Sequence, residues 1–139
     1  MANVFDVALF LRNQYVELSH KKLQKLLYYT QAWSLAWEDK PLFNSVIEAW
    51  DYGPVIPEVY NAIAEQETVP LDIQNGNVSN LSEGEINVIE DVLILYGDKD
   101  ADWLVEQTHR EDPWRTAYKD GTHNVITEQS LKDYYKNFS

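Results

Sequence analysis

"HKKLQKLLYYTQAWSLAWEDK", residues 20–40, is the stretch whose reading decides the fold. Leu23, Leu26, Thr30, Trp33 and Trp37 fall on one seam at helical spacing, while Leu27, Ala32, Leu35 and Ala36 fill a second. A helix that is apolar around most of its circumference must be surrounded, so the segment predicts a central helix. Ser19 stands where it can cap that helix, and Pro41 where it can end it. Lys21, Lys22 and Lys25 carry the wrong sign for the positive end of the helix dipole, and are read as solvated or paired with acids elsewhere. Gln24, Tyr28 and Gln31 form a polar stripe that spacing alone assigns to a solvated edge.

Working outward, "NVFDVALFLRNQY" (3–15) predicts an amphipathic first helix capped by Asn3, with Asp6 near its positive end. After the central helix, Ile47–Trp50 reads as a short β run, followed by the corner "DYGPVIPEVY" (51–60). Gly53 can take backbone angles other residues avoid, each proline disfavours helix in the residue before it, and Pro57 suits a helix's first turn. That stiff corner therefore feeds a third helix, "EVYNAIAEQE". Residues 68–81 have no helical period and read as a loop or small hairpin turning at Asn75-Gly76. Ser82 and Glu85 make a capping box for a fourth helix that ends at Gly97. A fifth follows in "DKDADWLVEQTHRE". Asp112 as cap and Pro113 in the first turn restart the chain, and Thr127 caps a last helix with Leu131, Tyr134, Tyr135 and Phe138 inward. The expectation is a mainly α, single-domain bundle of about six or seven helices spanning 1–139, with small β elements near 47–51 and 70–80.

Length and an apolar share of 45% suffice for one real core. The net charge of −12 is uneven: residues 1–40 hold five basic against four acidic side chains, and residues 41–139 hold six against nineteen. A surface of that sign repels phosphate backbones, so no direct nucleic-acid binding is expected, whereas a basic or apolar protein partner is compatible with it. The chain contains no cysteine, which removes disulfides, thiolate nucleophiles and cysteine-based zinc sites. No apolar run approaches the ~20 residues of a membrane span and the N-terminus lacks a basic leader, so a soluble, cytoplasmic protein is expected.

Motifs for chemistry are sparse. There is no G-x-S-x-G, H-E-x-x-H, phosphate-binding glycine loop or G-x-G-x-x-G, and the histidines are His20, His109 and His123. "THREDPW" (108–114) gathers titratable groups, and an enzyme would have to use Glu111 to orient His109 as a base. The bland alternative has Asp112 capping a helix, Arg110 or His109 paired with a carboxylate, and Trp114 packed. The expectation is no enzyme, no cofactor and no metal.

Three blocks in order, "KLQKLLYYTQAW" (22–33), "IEAWDYGPVIPEVY" (47–60) and "THREDPW", together resemble the SocA/GepA-like antitoxin family, also called the Panacea domain. The resemblance implies a mainly helical, phage-associated or bacterial antitoxin that neutralises a cognate toxin, encoded beside it, by direct protein binding. It also implies an alternative, a proteolytic adaptor or phage regulator delivering its partner to an ATP-dependent protease. The partner-binding patch is placed at Lys22, Lys25, Tyr28, Trp50, Tyr52, Gly53, Pro54 and Tyr60, where a stiff backbone presents rings at low entropic cost. Thr108, His109, Glu111, Asp112, Pro113 and Trp114 are read as a structural motif. No motif speaks to the oligomeric state.

Overall fold

A computed structural model describes residues 2–63 and 67–138; the tail of the expected third helix, residues 64–66, lies outside the described residues. Helix α1 (Val4–Arg12) opens on a reciprocal capping box between Asn3 and Asp6. Helix α2 (His20–Glu38) starts at Ser19, whose side chain accepts from the Lys22 amide, and ends where Asp39 turns left-handed at φ 58°. Strands β1 (Ile47–Trp50) and β2 (Gly53–Val55) form a hairpin that runs into α3 (Pro57–Ile63). Helices α4 (Glu83–Tyr96), α5 (Ala101–His109) and α6 (Asp112–Ala117) follow, then β3 (Asn124–Ile126) and α7 (Glu128–Lys136). The protein is mainly α, with seven α-helices and one antiparallel sheet ordered β2-β1-β3 among the described residues.

The central position of α2 follows from its composition. Leu23, Leu26, Leu27, Tyr28, Tyr29 and Ala32 are wholly buried, with α1, α4, α5, α7 and β2 packed around them. Each large apolar side chain so enclosed contributes about 1.5–3 kcal/mol relative to exposure. The polar stripe is buried as well, contrary to the sequence reading. Gln31 Oε1 accepts from the amides of Leu42 and Phe43, at 2.8 and 3.2 Å, while its Nε2 donates to the Phe43 carbonyl. Gln24 treats Ile56 in the same way, accepting from its amide at 2.7 Å and facing its carbonyl at 3.4 Å. Buried irregular chain must satisfy its backbone groups, and the two glutamines do so where the chain passes over α2. Tyr28 joins a third polar group inside, described below.

Other expectations need correction. No strand forms in 70–80 among the described residues: Asn75 turns at φ 71°, but the chain then enters a 3₁₀ turn at Val78–Asn80 and docks on α1, the Asn77 amide donating to Asp6 Oδ1 at 2.8 Å. The third strand comes instead from 124–126, where Ile126 faces Ile47 and Val125 faces Glu48. The cap of α6 is Glu111, without a side-chain capping bond, and Asp112 is the first helical residue. Phe138 is exposed rather than inward.

Candidate functional site

The three sequence blocks meet at the corner between β1 and β2. The register pairs Trp50 with Gly53, which leaves Asp51 and Tyr52 as the turn. Gly53 has φ +105°, and a Cβ placed there would lie 2.8 Å from Lys25 Cε and 2.9 Å from Thr108 Oγ1. Only glycine fits both the angle and the space. Pro54 sits on the edge strand, where a missing amide hydrogen costs no ladder bond, and its carbonyl accepts from Lys25 Nζ at 3.2 Å.

From behind, the 108–114 block braces the same corner. Trp114 Nε1 donates to the Trp50 carbonyl at 2.8 Å, and the rings of His109, Trp114 and Tyr118 stack in sequence at 4.0 and 4.4 Å. Tyr118 closes the brace by donating to Asp51 Oδ1 at 2.6 Å. Glu111 points the other way. Its Oε1 accepts from Tyr29 at 2.8 Å and Tyr135 at 2.7 Å, and its Oε2 accepts from Gln107 at 3.0 Å. Tyr135 thereby spends its proton, so Tyr28 donates to Tyr135 across 2.9 Å. Burial holds the hydroxyls of Tyr28, Tyr29 and Tyr135 well above their ordinary titration range, with the Glu111 charge adding to the effect. His109 is not oriented by Glu111: its ring lies on Trp114, and its Nε2 is buried without a hydrogen-bond partner. Desolvation and then the nearby Lys25 lower its pKa, opposed by a backbone hydrogen bond with Asp51.

In front of the corner lies a cleft of about 370 Å³ lined by His20, Lys21, Gln24 and Lys25 of α2, Trp50 to Tyr52 and Val55 of the hairpin, Tyr60 of α3 and His123. Its α2 residues recur at i, i+1, i+4 and i+5, one helix face. Trp50 contacts His123, stacked at 4.2 Å, and Tyr60, edge-on at 4.8 Å; His20 stacks on Tyr60 at 5.4 Å. Tyr52 is 68% exposed, with Lys21 Nζ 5.2 Å from its ring centre. Lys25 is neither solvated nor ion-paired: it is 1% exposed, makes its hydrogen bond to a carbonyl, and has no acid within salt-bridge distance among the described residues. Desolvation, and secondarily Lys21, bring its pKa down to about 7. His20 is lowered too, by burial first and Lys25 second.

Of the sequence-predicted patch, Lys25, Trp50, Tyr52 and Tyr60 line the cleft, and Gly53 and Pro54 form the backbone against Lys25. Lys22 and Tyr28 stand elsewhere. Lys22 Nζ donates to the Gly97 carbonyl at 2.8 Å and lies over Tyr15, while Tyr28 is in the core. His20, Lys21 and His123 were not singled out for the site. The two α2 residues follow from helical spacing once Lys25 is placed; His123 arrives through β3, which left no periodic trace.

The fold and cleft define a small helical domain whose longest helix braces a rigid β-hairpin corner. The family model described as antitoxin SocA-like, Panacea domain, matches residues 23–115, from α2 through α6, and the chain belongs to that family. Antitoxin SocA of Caulobacter vibrioides (strain NA1000 / CB15N) is 33% identical over 138 residues, covering 87% of this chain and 73% of that protein. No solved structure matches.

Proposed function

We propose that this protein is an antitoxin that neutralises a cognate toxin by direct binding, without turnover, and that the partner docks on the 51–54 corner. Membership of an antitoxin family supports the first part. The observation that carries the second is Tyr52, a large ring left mostly exposed on backbone that α2, α5 and α6 fix from behind. A ring carried on backbone that is already fixed has less entropy to lose on binding, and such rings are what dominate an interface. The acidic surface of the rest of the chain would speed encounter with a basic partner.

Each gene adjacent to this one is expressed from an inducible promoter, alone and with this chain, and the pair is then captured by affinity. Growth arrest by one neighbour, rescue by this chain and recovery of a complex are expected. Tyr52→Ala should weaken capture at least tenfold while leaving the unfolding midpoint unchanged, because the side chain is mostly solvated. A Tyr52→Ala protein that melts early, or binds as well as the wild type, removes the corner from the interface. Rescue accompanied by rapid, protease-dependent loss of the neighbour would replace occlusion with the adaptor mechanism.

A further inference from the structure

The cleft in front of the corner has chemistry that an exposed interface anchor does not need. Lys25 carries three donors, and one is matched, by the Pro54 carbonyl. Lys21, His20 and His123 join it in the lining, which concentrates basic groups in a chain of net charge −12. The carboxylate in that lining, Asp51, already accepts the Tyr118 hydroxyl at 2.6 Å. Glu48, 3.9 Å from His123 Nδ1, accepts from Trp50 Nε1 at 2.9 Å. With 23 acidic residues available, neither Lys21 nor Lys25 has an acid within salt-bridge distance among the described residues. A buried ammonium with unused donors is costly, which burial answers by bringing the Lys25 pKa down to about 7, and an oxyanion in the cleft would restore its charged form. The walls supply the other half of a ligand's surface: the rings of Trp50, Tyr52 and Tyr60, in a volume at the lower end of the range for small-molecule pockets.

We propose that this cleft binds a small organic anion built on a flat ring, its single oxyanion taken by Lys25 and Lys21 and its ring laid against Tyr52 and Tyr60. Lys21 and Lys25 favour an anion over a cation of the same shape, and the volume suits a small molecule. This inference goes beyond the antitoxin reading and is tested without any partner, so the two fail separately.

The test is a ¹H–¹⁵N NMR titration of the purified full chain at pH 6.5 and low salt with three probes: indole-3-acetate, its cationic relative tryptamine, and inorganic phosphate. Indole-3-acetate should move the Trp50 indole and the Lys21, Tyr52 and Tyr60 amides saturably; phosphate should bind at least tenfold more weakly, and tryptamine should leave them in place. Lys25→Met should lose at least tenfold in affinity for indole-3-acetate with a dispersed, folded spectrum. Lys21→Glu, at the rim, should do the same if Lys25→Met fails to fold. An unmoved Trp50 indole, equal response to tryptamine, or undiminished binding by the variants overturns the proposal, and phosphate binding as tightly as indole-3-acetate overturns the role of the ring.

Discussion

Replacing Lys25 with methionine, which keeps an unbranched stem and removes the charge, is expected to stabilise the protein by an amount that shrinks as pH rises. Burial and the neighbouring Lys21 take the ammonium from 10.5 to about 7 in the folded protein, whereas the unfolded chain restores its ordinary value. Below pH 7 both states hold the proton and folding carries the full cost of burying it. At about 1.4 kcal/mol per pH unit between the two values, that cost is about 5 kcal/mol. Between pH 7 and 10.5 the unfolded chain binds the proton and the folded chain does not, so this group makes stability rise with pH; at pH 9 the remaining cost is about 2 kcal/mol. Methionine has no such cost but leaves the Pro54 carbonyl without its donor, a loss of about 1–3 kcal/mol at either pH. The net gain is then about 3 kcal/mol at pH 6 and close to nothing at pH 9. Urea unfolding of both proteins at the two pH values measures the change in their difference, from which the constant loss cancels. Curves that run parallel between pH 6 and 9 would refute the buried-cation argument.

Three further outcomes follow from the same geometry. Gly53→Ala places a Cβ under 3 Å from Lys25 Cε and Thr108 Oγ1 at a backbone angle alanine avoids, and should cost about 2–4 kcal/mol by denaturant unfolding; wild-type stability would show that the corner yields. Glu111→Ala removes the shared acceptor of Tyr29, Tyr135 and Gln107 and should cost about 3–5 kcal/mol, with near-ultraviolet circular dichroism reporting the disturbed tyrosines. Tyr28, Tyr29 and Tyr135 should stay neutral in the folded protein beyond pH 10 and titrate only on unfolding, read as a late step in absorbance at 295 nm. Because their folded pKa values are raised, the stability they confer is complete below pH 10 and is lost as pH climbs above it.

Four helices were legible from their own local chemistry, since Asn3, Ser19, Ser82 and Thr127 all accept the amide that a cap should; Asp100 does the same for α5, whereas α6 starts without a side-chain cap. The corner was legible for the same reason, since Gly53, Pro54 and Pro57 restrict the backbone wherever they occur. What could not be read were roles assigned by distant partners. Gln24 and Gln31 look solvated until the chain at 42–43 and 56 is laid over them. Glu111 looks like a surface acid until Tyr29 and Tyr135 converge on it. Lys25 was singled out, but its burial was not foreseen, because periodicity reports which face a residue shares and says nothing of what covers that face. β3 escaped because three residues pairing with a strand 77 positions earlier leave too short a pattern to recognise.

The hydroxyl contact between Tyr28 and Tyr135 joins residues 107 positions apart, and α7 is the element packed most extensively on α2. The middle of the molecule is therefore completed only once α7 has been synthesised. A growing chain can cap α1, α2 and α4 as each emerges, and Tyr96 of α4 can already meet Tyr29 and Trp33, yet the faces of Tyr28, Tyr29 and Trp33 that pack on Tyr135 stay uncovered until residue 135 is free to fold against them. During that interval the nascent chain carries an aromatic stripe that the completed molecule conceals.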